Sequence, residues 1–189
     1  MIGTNKIKAA VFISGTGSNL KALYKFSLTK KSPIKIDLVI SSDKNAKGLL
    51  FSKKKKIISK ALNFKKKKTI ENKILKYLEK NNVRLICLAG FMKILSKNFI
   101  KKFKGEIVNI HPSLLPKYKG LNTHQRAIDN KDKFSGCTIH YVNQKLDSGK
   151  IILQKRVKIY KQDTSKSLAK RILKEEHKQY PKAIIKLYC

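Results

Sequence analysis

The chain has 189 residues, 41% of them hydrophobic, and a formal net charge of +34. That length suits one good-sized core and is short for two domains, and no apolar run approaches the length needed to span a bilayer. Only Arg84, Arg126, Arg156 and Arg171 among the basic residues are arginines, the forked donors that nucleic-acid readers favour; lysines dispersed beside abundant Ile and Asn read instead as AT-rich codon bias, so no specific nucleic-acid partner is expected.

The first element is the apolar run Ile7 to Ile13, the pattern of a central strand. It ends in Ser14-Gly-Thr-Gly-Ser-Asn19, after which Leu20, Ala22 and Leu23 begin a helical spacing, with Ser18 or Asn19 as candidate cap. Strand, glycine-rich turn and helix together place backbone N–H groups where an anion can sit. A second strand is expected over Ile34 to Ile40, then a short helix over Ala46 to Lys54. A third strand is expected over Lys56 to Leu62. Ile70, Ile74, Leu75 and Leu78 give the stripe of an amphipathic helix over Thr69 to Asn81. Arg84 to Ala89 is strongly apolar, hence a central strand, and runs into the loop Gly90 to Leu95; Ser96 caps a short helix reaching Phe103.

Glu106 to His111 reads as a buried strand that Pro112 stops. Strand side chains alternate faces, so Asn109 and His111 point the same way. An amide inside an apolar strand needs partners, and a ligand is one place to find them. His124 to Asn130 reads as a short helix. Gly136 to Val142 reads as a half-exposed strand, the polar loop Asn143 to Lys150 follows, and Ile151 to Val157 is a strand that can pair antiparallel with it. Asp163 or Thr164 opens a last helix, which Pro181 is expected to kink or break in two.

Strands alternating with helices predict a single-domain α/β fold over residues 1–189. It is a Rossmann-like, mostly parallel twisted sheet flanked by helices, with an antiparallel C-terminal part. The crossover rule puts the first, fourth and fifth strands at the centre. Their carboxyl ends would then bring Gly15–Asn19, Gly90–Leu95 and Asn109–His111 to one crevice, the side on which open α/β sheets bind ligands. The N-terminus has no signal-peptide pattern. Cys87, Cys137 and Cys189 have neither metal-ligand spacing nor the form of a disulfide framework, so a reducing, cytoplasmic setting without a metal is expected.

Four stretches carry a resemblance across nearly the whole chain. They are Ser14-Gly-x-Gly-Ser-Asn-Leu20, Leu88-Ala-Gly-Phe-Met-Lys-Ile-Leu95, Asn109-Ile-His-Pro-Ser-Leu-Leu-Pro116 and Leu146-Asp-x-Gly149. The chain resembles the folate-dependent phosphoribosylglycinamide formyltransferases. Methionyl-tRNA formyltransferase and formyltetrahydrofolate hydrolase are similar in the core but carry additional domains for which this length leaves no room. The resemblance implies direct transfer of a formyl group from 10-formyltetrahydrofolate to the amine of glycinamide ribonucleotide (GAR), by a monomer or homodimer, with no metal and no membrane. It makes Asn109 and His111 the groups that meet the developing oxyanion, and Asp147 the carboxylate that orients His111. It gives Gly17, Ser18 and Asn19 to the GAR phosphate and Glu176 to its ribose. It gives Met92, Lys93, Ile94, Leu95 and Asn109 to the folate, together with Lys67. Lys67 and Lys93 stand where the family commonly has arginine; they keep the charge and lose the fork. Related hydrolase or other formyltransferase activity, and a basic nucleic-acid-binding protein on the same scaffold, are the alternatives.

Overall fold

The computed structural model describes residues 6–188; Cys189 lies outside them, and Cys87 and Cys137 are buried free thiols. Strand β1 (Ile7–Ile13) is followed by α1 (Ser18–Ser27), β2 (Ile34–Ser41), α2 (Lys47–Lys54) and β3 (Ile58–Ala61). A single 3-10 turn at Phe64–Lys66 leads into α3 (Lys67–Lys80), β4 (Leu85–Leu88), α4 (Lys97–Lys102) and β5 (Glu106–His111). The chain then adds α5 (Thr123–Asp129), β6 (Phe134–Tyr141), β7 (Ile151–Lys158) and α6 (Ser165–Tyr188). The seven strands form one sheet in the order β3-β2-β1-β4-β5-β6-β7, with β1, β4 and β5 at its centre as expected. Pairing is parallel from β3 through β5 and antiparallel where β6 joins β5 and β7 joins β6.

Both faces of the sheet are covered, and β1 shows why its sequence is apolar throughout. Ala9, Val11 and Ile13 pack with Leu20 and Leu23 of α1 and Tyr180, Ala183 and Ile184 of α6. The alternate residues Ala10 and Phe12 pack with Ile74 and Leu78 of α3, Phe99 of α4 and Phe103 just after it. A strand buried on two faces has no polar positions to alternate. The same fact corrects the reading of β6 as half-exposed: Ser135 through His140 are all buried. Cys137 faces Leu168 and Ile172 of α6. On the other face the Thr138 hydroxyl accepts from Leu115 N and donates to the Ser113 carbonyl at 2.6 Å.

Helix ends follow local chemistry with two departures. Ser96 Oγ accepts from Phe99 N and caps α4 as expected. Thr164 and Ser167 exchange backbone-to-hydroxyl bonds at the start of α6, a reciprocal cap. Helix α1, however, takes no side-chain cap from Ser18 or Asn19; its cap residue is Gly17 at φ 70°. A Cβ there would stand 2.8 Å from the Gly48 Cα, so glycine serves both the left-handed conformation and the close approach of α2. Pro181 does not break the last helix, which runs unbroken from Ser165 to Tyr188. It sits in the final two turns, where packing of Tyr180, Ala183 and Ile184 on the sheet holds the helix despite one missing N–H donor.

Helix α6 has an unusual outer face. Its buried positions recur about every four residues, at Leu168, Ile172, Glu176, Tyr180 and Ile184. This period exceeds 3.6, so the buried stripe drifts around the helix as it crosses a twisted sheet. The exposed positions drift with it, and every one is a lysine: Lys166, Lys170, Lys174, Lys178, Lys182 and Lys186.

At the N-terminus of α6 the Asp163 carboxylate is bound by the two terminal guanidinium nitrogens of Arg171, Nη1 and Nη2, by Ser167 Oγ and by the Tyr160 N–H. Arg171 holds the Asp163 carboxyl at about 2, below its ordinary range, with the Tyr160 and Ser167 bonds adding to the effect. A lowered carboxyl value means the folded state binds its proton less readily than the unfolded chain. The stabilisation is therefore complete above the unfolded value of about 4 and is lost as pH falls from about 4 toward 2. Asp163→Asn is expected to lower the melting temperature at pH 7 by roughly 5 °C. The gap to the parent protein should narrow when melts are repeated from about pH 5 down to about pH 3. A gap that stays constant across that range excludes this linkage.

Candidate active site

The carboxyl ends of β1, β4 and β5 open into a cavity of about 800 Å³, within the range of small-molecule sites. Ser14 to Asn19, Leu88 to Leu95 and Asn109 to Pro112 all line it, joined by the β6–β7 connection and by Glu176 of α6. Predicted site residues Gly17, Ser18, Asn19, Met92, Lys93, Ile94, Leu95, Asn109, His111, Asp147 and Glu176 are thereby brought together. Lys67 opens α3 and is not among the lining residues.

The polar centre is built on β5. His111 Nε2 donates to the Tyr118 carbonyl at 2.9 Å; a carbonyl only accepts, so this nitrogen carries the hydrogen. His111 Nδ1 faces Asp147 Oδ2 at 3.4 Å, with both side chains under 10% exposed. The same Asp147 oxygen accepts from the Gly120 N–H at 2.8 Å. Asp147, His111, Tyr118 and Gly120 therefore form one closed circuit that ties the loop after β5 to the β6–β7 connection. The loop itself is anchored by Tyr118 Oη donating to Asp132 at 2.8 Å, with Lys117 on the same carboxylate. Asp147 sits at φ 43°, a left-handed conformation that Asp and Asn tolerate better than other side chains. Two residues on, Gly149 has no room for a side chain, since a Cβ would lie 1.8 Å from the Tyr141 carbonyl.

His140 completes the centre from β6. The antiparallel register places it directly opposite Asn109. Its Nε2 lies 3.2 Å from Asn109 Nδ2 and 3.7 Å from Asp147 Oδ1. Its Nδ1 donates to its neighbour's carbonyl, Tyr141 O, at 2.8 Å. Burial pushes the His140 imidazole down from its ordinary value, outweighing the Tyr141 carbonyl and Asp147, which pull the other way. Burial likewise lowers His124, whose Nε2 is buried without a partner. The sequence alone gave His140 no role, because only the strand reversal brings it beside Asn109.

At the other end of the cavity Asn19 Nδ2 donates to Glu176 Oε2 at 2.7 Å across the α1–α6 contact. Burial pushes the Glu176 carboxyl up, opposed by that bond. Asn19 Oδ1 is buried with no partner, so an acceptor is left over beside the Gly17 turn. Buried orphan acceptors are rare and suit a ligand hydroxyl or N–H. Other parts of the lining are apolar and open, with Met92, Ile94, Leu121 and Leu146 more than half exposed. The arrangement suits a long ligand pair: a polar, phosphate- or sugar-like group at Gly17–Asn19, and a flat apolar one against Met92–Leu95. The reacting atoms would meet between Asn109, His111 and Asp147. Among the described residues no group of three or more His, Cys, Asp or Glu side chains is arranged to hold a metal ion. Among the described residues no helix is long and apolar enough to cross a membrane.

The formyl transferase family profile matches residues 7–184. The phosphoribosylglycinamide formyltransferase of Haemophilus influenzae is 42% identical over 180 residues, covering 94% of this chain and 85% of that protein. The trifunctional purine biosynthetic protein adenosine-3 of Gallus gallus is 40% identical over 186 residues; the match covers 97% of this chain but only 18% of that larger protein. The crystal structure of phosphoribosylglycinamide formyltransferase from Brucella melitensis superposes with a TM-score of 0.91 at 40% identity, covering 97% of this chain and 96% of that one.

Proposed function

The chain belongs to the formyl transferase family, within its phosphoribosylglycinamide formyltransferase branch, and from that premise we propose that it transfers the formyl group of 10-formyltetrahydrofolate to the amine of GAR. The observation that carries the reading is the convergence of Asn109, His111 and Asp147 on the wall of a cavity that is also lined by the Gly17–Asn19 turn and by Met92–Leu95. The folate co-substrate supplies an activated formyl carbon. Bond formation from the amine puts negative charge on the formyl oxygen; the carbon–nitrogen bond to the folate then breaks, the amine gives up a proton and the leaving nitrogen gains one. Asn109 donates an amide N–H toward the oxygen, and His111 acts as acid and electrostatic stabiliser. Both His111 ring nitrogens face acceptors within the protein, so donation to substrate exchanges one of them. Asp147 holds the imidazole and the Gly120 loop together.

In this reading Gly17, Ser18 and Asn19 hold the GAR phosphate and Glu176 its ribose; the Gly17 turn at the start of α1 supports the first, and the orphan Asn19 oxygen, an acceptor, suits a ribose hydroxyl. Met92 to Leu95 wall the folate. Lys67, away from the cavity lining, reaches only a tail that extends beyond it. A cytoplasmic setting accords with the two buried free thiols.

Purified protein mixed with 10-formyltetrahydrofolate, with and without GAR, tests the proposal by optical loss of the formyl donor. Consumption only in the presence of GAR is the expected result; consumption without it means hydrolysis, and none from a folded protein means another acceptor. Glu176→Ala is expected to raise the KM for GAR about 10- to 100-fold, the scale of hydrogen bonds to a charged group. The KM for the formyl donor should move little. An unchanged GAR KM removes Glu176 from the ribose site.

A further inference from the structure

Building on that reading, we propose that His140 is a positioning residue for the transfer: it fixes which way round the Asn109 carboxamide faces the substrate. The argument starts from the Tyr141 carbonyl, 2.8 Å from His140 Nδ1. A carbonyl oxygen has no hydrogen to give, so Nδ1 must carry one. His140 is 2% exposed, and burial favours the neutral ring. A neutral imidazole with its hydrogen on Nδ1 presents a bare lone pair at Nε2. That lone pair can only accept, and the group 3.2 Å away is the Asn109 amide. The amide must then turn its NH₂ end toward His140. One of its two hydrogens satisfies Nε2, and the other remains free for a group in the cavity that Asn109 lines.

The opposite tautomer reverses every step. A hydrogen on Nε2 demands an acceptor and draws the Asn109 carbonyl oxygen toward His140, so the NH₂ no longer makes this contact. An oxyanion needs donors, so the tautomer of His140, which itself stands on the cavity wall, selects which side the Asn109 N–H groups face. The titratable groups facing His140 are His111 from β5 and Asp147 from the β6–β7 connection, whose Oδ1 is 3.7 Å from Nε2. Asp147 favours a hydrogen on Nε2. The Tyr141 carbonyl and burial work against it, and at 3.7 Å Asp147 Oδ1 stands beyond hydrogen-bond distance of Nε2. Cross-strand register delivers the pair without any loop: Asn109 and His140 are aligned in the β5–β6 ladder.

The test combines kinetics with a measurement that needs no substrate. His140→Phe, which keeps a ring and removes the acceptor, is expected to lower kcat about 10- to 100-fold, a fraction of the effect of losing an oxyanion donor outright. Both KM values should stay within about twofold. His140→Gln, which offers an acceptor oxygen, should recover part of the loss. In an Asn109→Ala background His140→Phe should cost less than about twofold more, because the residue it orients is gone. Independently, 15N NMR of the histidine-labelled free protein, which has only four histidines, should show His140 with its hydrogen on Nδ1 and a bare Nε2. Losses that multiply in the double variant, or a hydrogen on Nε2, overturn the proposal. A parent protein that formylates no GAR sinks the assigned function instead, and the NMR arm still decides where the hydrogen lies.

Discussion

His111→Ala is expected to lower kcat about 10³-fold while leaving both KM values close to those of the parent protein. The reason is the position of the ring. It is 6% exposed at the carboxyl end of β5, held on one side by the Tyr118 carbonyl and on the other by Asp147. A side chain so fixed contributes little to substrate affinity. In the proposed mechanism its effect falls on the step at which charge appears on the formyl oxygen, the pattern of an interaction made in the transition state alone. The substitution also leaves the Asp147 carboxylate without its imidazole, and a melt run alongside separates lost chemistry from lost fold. A fall in activity that tracks the melting temperature, or a kcat within about tenfold of the parent at full folding, contradicts the role.

Asp147→Asn is expected to lower kcat about 10²- to 10³-fold, again with the fold intact. Asparagine is the informative choice because it preserves everything but the charge and the second acceptor. It tolerates the left-handed backbone at φ 43°, and its amide oxygen still accepts from Gly120 N, now 2.8 Å from Asp147 Oδ2. What it removes is a carboxylate shared between His111 and His140. With its oxygen on Gly120, its NH₂ end takes the Oδ1 position, where it faces the bare His140 Nε2 and competes with the Asn109 amide. Turnover equal to the parent, measured as GAR-dependent loss of the formyl donor, eliminates Asp147 as the orienting carboxylate. A large drop in melting temperature assigns it instead to closing the loop.

The sheet was legible because a central parallel strand has no alternative pattern. Val11 and Leu85 are buried on one face of their strands, and Phe12 and Ile86 on the other. Strand edges were less legible: β3 begins at Ile58, not Lys56, because Lys56 takes a left-handed turn at φ 54°. The site was legible as three strand ends with unusual residues, since Asn109 and His111 on one face of an apolar strand have few structural uses. His140 was not, for a physical reason. Thr138, His140 and Val142 look like the wet face of an edge strand. Only the pairing of β7 outside β6, and the Ser113–Leu115 loop folded over it, makes that face dry. Asn19 shows the same limit: its residue type suggested a helix cap, which it does not form, while its actual partner Glu176 lies 157 residues away.

The lysine row on α6 sets a condition on where this fold can exist. Neighbouring lysines four apart on a helix repel by roughly 0.2–0.5 kcal/mol per pair, and among them only Lys178 has a carboxylate, Glu175, within 2.7 Å. The row is part of a charge of +34 on the whole chain, so the folded state is held together against its own field. That field reaches only about a Debye length, roughly 8 Å at physiological ionic strength. The small anions of the surrounding medium therefore act as a structural component, supplied by solution chemistry where other proteins place aspartate and glutamate.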